Sequence, residues 1–128
     1  MKEIVEYHAH IYFCTSAKSI RAANQLAEKI NNRFKVKVGK LNFKLVGPHT
    51  QPMFRVLFSK DQFSEFIQWL IFERGNLNIL IHPVTGDSYL DHVEYGLWLG
   101  EKLAMKVDKM DYSLMKKNKV REYCNHYY

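Results

Sequence analysis

The hydrophobic period changes along this chain in a set succession, and that succession constrains the fold more than any other feature. Residues 4–13 (IVEYHAHIYF) alternate with period two. Tyr7, Ala9, Ile11 and Phe13 point one way and His8, His10 and Tyr12 the other, which is the pattern of a half-buried strand. Thr15 or Ser16 can then cap a helix over 17–33, where Ile20, Ala23, Ala27 and Ile30 recur three or four apart among polar residues. Residues 35–46 alternate again, with Val36 and Val38 in one phase and Leu41, Phe43 and Leu45 in the other. Gly39 sits at the slip, so a bulge or bend is expected there. Gly47-Pro48-His49 punctuates the end, and residues 53–58 (MFRVLF) return as a strand after Pro52. Ser59 and Gln62 read as a capping box for a helix with Phe63, Phe66, Ile67 and Leu70 on one face, closed by Gly75. Residues 77–82 (LNILIH) form a short strand, and residues 92–99 alternate as a fifth.

The order β-α-β-β-α-β is the split βαβ or ferredoxin-like pattern, here with an additional C-terminal strand. The expectation is an α+β fold, with an antiparallel sheet covered by two helices on one face. The row Tyr7, Ala9, Ile11, Phe13 then faces the helices, and His8, His10 and Tyr12 lie on the open face. A chain of 128 residues fits one domain. Residues 1–108 are assigned to it and 109–128 to a basic C-terminal extension. That extension holds five basic residues against two acidic ones, half of the net charge of +6. Such a block reads as a solvated tail before it reads as a polyanion binder. With 47% apolar residues the chain is too apolar for disorder, and no apolar run is long enough to span a membrane. No apolar signal core precedes the first strand. Cys14 and Cys124 make neither a disulfide framework nor a zinc spacing. A reduced, cytoplasmic protein is therefore expected.

The chemistry lies in the histidines: His8, His10, His49, His82, His92 and His126. A lone histidine is ordinarily a surface or hydrogen-bonded residue, but these positions are not independent. His8 and His10 share one face of a strand. The first and last core strands of this fold are antiparallel neighbours, and pairing 7–13 with 77–83 puts His82 opposite His8. The extra strand would start at His92. Three or four imidazoles then converge at one end of the open face. Imidazole is the commonest side-chain ligand for iron, zinc, copper and nickel near neutral pH, and so few cysteines argue against a closed structural zinc site. Glu94 shares a face with His92 if the strand is regular. Two histidines and one carboxylate with open positions form the non-haem Fe(II) arrangement, although zinc or another divalent ion suits the same donors. Asp87 and Asp91 read first as turn residues. Trp98, on the His92 face, lines a pocket or covers it. His126 carries no functional weight.

The segments HAHIYF (8–13), GPHTQPMF (47–54), ERGNLNILIHPVTGD (73–87) and DHVEYGLWLG (91–100) resemble the DOPA 4,5-dioxygenase family. The likeness runs in order from about residue 5 to 108, and its last two motifs carry most of its specificity. It implies a ferredoxin-like fold and a metal-dependent extradiol cleavage of a catechol, DOPA-like or other, by O2. On that reading His10 and His82 hold the metal, with His8 as the third ligand and Glu94 as its rival. His92 and His49 are the acid–base candidates. A hairpin tip carries His49, at the far end of the sheet from His8 and His82. It must fold over the sheet or enter a partner's site. The chain departs from the family pattern at Thr50, where proline is usual, at Arg55, where glutamate is usual, and at Asn76, where glycine is usual. These departures bear on the substrate more than on the reaction. Leu41 or Phe43, Leu57 and Trp98 would leave apolar surface on the open face, so a homodimer is expected.

Two readings from other classes remain. One is a catalytically silent metal- or ligand-binding dimeric module. The other is an RNA-binding module of the same topology, but its third strand should carry a basic-Gly-aromatic-Gly-aromatic motif. PMFRVLF lacks that motif, and no nucleic-acid partner is expected.

Overall fold

The computed structural model describes residues 3–106. The 109–128 extension, with Cys124 and His126, lies outside the described residues. Strand β1 (Glu6–Tyr12) leads into helix α1 (Ala17–Arg33). Of the two candidate caps, Ser16 is used: its Oγ accepts the Ser19 N–H at 3.2 Å, which satisfies one of the orphan donors of the first turn. Strand β2 is short (Lys37–Val38) and β3 runs Met53–Ser59. Ser59 N–H donates to Gln62 Oε1 at 2.9 Å, and a single 3-10 turn passes into α2 (Phe63–Glu73). Gly75, at φ +59°, turns the chain out of that helix. β4 (Ile79–Pro83), α3 (Ser88–Val93) and β5 (Leu97–Leu99) complete the chain.

The sheet order is β2-β3-β1-β4-β5, antiparallel throughout. It is the ferredoxin-like order with β5 added beside β4. Both long helices pack on the face carrying Ala9, Ile11, Phe54, Val56, Phe58, Ile79 and Ile81. Fully burying each large apolar side chain there contributes roughly 1.5–3 kcal/mol, which commits β1 to one face. The odd-numbered residues of β1 go to this core, so His8, His10 and Tyr12 go to the other side.

The bulge at Gly39 is present. Val38 pairs with Val56 and Asn42 with Met53, so four steps along one strand match three along the other. Gly39 N–H donates to the Arg55 carbonyl at 2.8 Å, and a Cβ at Gly39 would stand 3.1 Å from that same oxygen.

Two expectations need correction. Residues 92–99 are not one strand: 88–93 form α3, and only Leu97–Leu99 pair with β4. Asp87 explains the change, because its Oδ1 accepts the Leu90 N–H at 3.1 Å and starts a helix where alternation alone suggests a strand. Gly96 makes the exit, since a Cβ there would lie 2.8 Å from Leu80 Cδ1.

The second correction concerns the face expected to be open. Tyr12, Met53, Leu80 and Leu103 form a small second core there, with Trp98 and Met105 against it. Trp98 stacks on Tyr12 at 5.8 Å and Leu41 packs on the main core, so these two of the apolar residues expected at a dimer contact are engaged within the chain, while Phe43 stays exposed. Among the described residues no helix is long and apolar enough to cross a membrane.

Candidate metal centre

Three elements and one loop bring five imidazoles together. β1 supplies His8 and His10, and β4 supplies His82, paired with His8 as the sequence register predicts. His92 comes from α3 rather than from a strand. Its helix is tethered by Asp91, whose carboxylate accepts the Thr85 N–H at 3.0 Å and the Thr85 hydroxyl at 2.5 Å. His49 comes from the loop before β3, which folds over the sheet within the same chain. Residues 103–106 strap that loop down: His49 bridges to Met105, Lys106 N–H donates to the Pro48 carbonyl at 2.9 Å, and the Thr50 hydroxyl donates to the Ala104 carbonyl at 2.6 Å. No partner subunit is needed to bring His49 to the cluster.

The rings are in contact. Centroids lie 4.2 Å apart for His10 and His49, 4.1 Å for His82 and His92, 5.0 Å for His10 and His82, and 5.2 Å for His8 and His82. Two overlapping triads have ligand atoms mutually within 4.8 Å: His8, His10 and His82, and His10, His49 and His92. His10 belongs to both. Glu94 joins neither. It is the exposed C-cap of α3, so the strand face it was to share with His92 does not exist.

Proton positions follow from the partners. A carbonyl oxygen only accepts, so His82 Nδ1–H donates to the Pro83 carbonyl at 2.7 Å and His92 Nδ1–H to the Ser88 carbonyl at 2.7 Å. A neutral ring so fixed carries a bare lone pair on Nε2. His82 Nε2 stands 2.9 Å from His10 Nε2. The other nitrogen of His10 meets only the Met53 sulfur, at 3.5 Å, and thioether sulfur is a weak acceptor. Two nitrogens bound at right angles to one ion, each at about 2.1 Å, would be about 3 Å apart. The donor set therefore fits a divalent metal ion.

Burial pushes every ring of the cluster below the ordinary histidine pKa. His8 falls to about 4, through burial and then the Arg55 charge. His82 falls to about 4 and His49 to about 3, through burial and then His92. His10, the most enclosed, falls well below the usual value for the same reasons, and His92 falls too, partly offset by its bond to Ser88. At neutral pH all five are uncharged, the state a metal ligand requires.

Sequence reasoning gave no role to three residues at this site, nor to Gln51 in the loop before β3. Tyr12 places its hydroxyl 2.6 Å from His49 Nδ1, and its position on the His8–His10 face was the available signal. Met53 lies opposite Tyr12 on β3, which only the register could have revealed. Asp91 read as a turn residue. Gln51 is buried, and its Nε2 has no hydrogen-bond partner among the described residues; no pattern in the sequence marks it.

The sequence model of the Dopa 4,5-dioxygenase family matches residues 7–109. The chain is 34% identical over 123 residues to an uncharacterized 21.2 kDa protein of Botryotinia fuckeliana, covering 88% of this chain and 64% of that one. It is 29% identical over 112 residues to a DOPA 4,5-dioxygenase of Amanita muscaria, covering 82% of this chain and 49% of that one. The chain thus spans from about half to just under two thirds of the length of these curated relatives. A crystal structure of a candidate dioxygenase from Nostoc punctiforme matches it with a TM-score of 0.78 at 39% identity, covering 84% of this chain and 94% of that one.

Proposed function

This chain belongs to the Dopa 4,5-dioxygenase family, and from that premise we propose that it is an extradiol dioxygenase that opens a catechol ring with O2. His10, His82 and His8 hold a divalent ion, Fe(II) by preference. When bound, that ion supplies chelation of both catechol oxygens and activation of O2. The observation that carries the reading is the 2.9 Å approach of two Nε2 atoms, one of which has its proton locked on the far side of the ring.

His92 and His49 divide the proton work. His92 commits its Nδ1–H to Ser88, so its unprotonated Nε2 acts as the base toward a catechol hydroxyl. If Tyr12 O–H donates to His49 Nδ1, a neutral His49 carries its proton on Nε2 and acts as the acid. Tyr12 is then a positioning residue. His10 and His82 are almost fully buried, which keeps water away from the reacting centre. A homodimer remains part of the proposal and is read by sedimentation. A second donor set, His10, His49 and His92, converges as closely. An ion held there would leave His8 and His82 as the proton-carrying pair.

The test is anaerobic reconstitution with Fe(II), followed by oxygen uptake with a panel of catechols. Uptake with a yellow ring-opened product is expected, along with loss of both iron and uptake in His82→Ala. Iron binding without uptake on any catechol would favour the silent metal-binding module. Full iron content in both His10→Ala and His82→Ala would refute the ligand assignment.

A further inference from the structure

The histidine face of β3 carries one charged residue. Phe54, Val56 and Phe58 belong to the helix-covered core, so alternation puts Met53, Arg55 and Leu57 on the histidine side. Arg55 pairs directly with His10. Its neighbour toward the sheet edge is Gly39, which holds the Arg55 backbone and has no side chain to cover it. His10, His49 and His82 are almost sealed, whereas His8 is half-buried and Arg55 is exposed. Among the described residues the cluster is therefore least covered on the side of His8 and Arg55.

The charges at this mouth are unbalanced. Besides the neighbouring His92 imidazole, the charges acting on His8 are those of Arg55 and Asp91. Both Asp91 oxygens are engaged by Thr85, and among the described residues Arg55 has no carboxylate partner. Glu6 shares the face but pairs with Ser59, one step beyond His8. Among the described residues the mouth therefore presents a guanidinium with no carboxylate paired to it.

We infer that Arg55 sets substrate choice: it grips a carboxylate on the ring substituent while the two hydroxyls turn to the histidines, and it favours a catechol acid with no ammonium group. The inference rests on the catechol reading above. A planar guanidinium matches a carboxylate with two parallel bonds, whereas an amino-acid side chain would bring its ammonium toward a like charge.

The test is anaerobic calorimetry on the metal-loaded protein, where no turnover occurs. The probes are 3-(3,4-dihydroxyphenyl)propanoate, its methyl ester and DOPA. The acid is expected to bind about tenfold to a hundredfold more tightly than the ester, with DOPA weaker than the acid. Arg55→Gln should erase the gap between acid and ester, and Arg55→Lys should restore part of it. Equal affinity for acid and ester, or a gap that survives Arg55→Gln, overturns the inference. An Arg55-dependent gap without oxygen uptake would sink ring cleavage and leave Arg55 standing as the anion-selecting residue. If no catechol binds the loaded protein, both fall.

Discussion

Asp91→Ala should unseat His92 and lower stability by a calculable amount. The Asp91 carboxylate is buried and accepts two hydrogen bonds from Thr85, at 3.0 and 2.5 Å. Bonds to an ionised acceptor contribute about 1.5–3 kcal/mol each. Thr85 is exposed, so its donors can turn to water once the carboxylate is gone, and the lower end of that range applies. Two bonds give about 3 kcal/mol. For a fold of this size each kcal/mol moves Tm by about 4–8 °C, so metal-free Asp91→Ala should melt about 12–24 °C lower. The local effect should be larger than the global one. α3 has six residues, too few to hold as a helix without its tether. Asp91→Asn keeps the shape and one acceptor oxygen and should lose about half as much. Circular dichroism melts of the metal-free proteins give the first readout, and the imidazole NMR signals of His92 give the second. A melt of Asp91→Ala within about 2 °C of wild type, with the His92 signals unmoved, would refute the tether.

Acidification should destabilise the metal-free protein. The folded-state pKa is about 4 for His8 and His82 and about 3 for His49, against roughly 6.5 in the unfolded chain. The stabilising difference is complete above pH 6.5, and it is lost as pH falls through the folded values, because the unfolded chain takes protons that the folded one refuses. Tm should hold from pH 7.5 to about 6.5 and fall from there to pH 4.5, and a rise would contradict the buried, neutral cluster. Gln51→Met should raise the Tm of the metal-free protein, since a buried amide nitrogen without a partner costs about 1–3 kcal/mol; a lower Tm would mean that the amide is satisfied. His49→Ala should keep its iron while His82→Ala loses it, as read by metal analysis after desalting. The reverse pattern would move the ion to the triad of His10, His49 and His92.

Much of this architecture was legible because it rests on local alternation. His8, His10 and His82 were placed together from period two and the antiparallel register alone, and β1 and β4 follow that register. Helix α1 and the Ser59–Gln62 box were readable because their signals lie within one turn. Residues 88–96 were misread because the Asp87 cap and the Asp91–Thr85 tether compete with an apparent alternation, and the helix wins through hydrogen bonds that a hydropathy pattern does not contain. Which of its two routes His49 takes, over the sheet or into a partner's site, was not legible because a hairpin tip has no intrinsic address. Its position is set by residues 103–106, more than fifty positions later. Tyr12, Met53 and Gln51 act through contacts across strands and loops, and single-residue propensities are blind to these.

The strap at residues 103–106 also gives the pocket a time order. The β1, β4 and α3 contributions are all present once residue 93 has been made. The roof that carries His49 must wait for Met105 and Lys106. During synthesis, four imidazoles are thus available on an uncapped sheet before the fifth is fastened, and a chain cut short at Gly100 would keep that earlier, roofless stage as its end point.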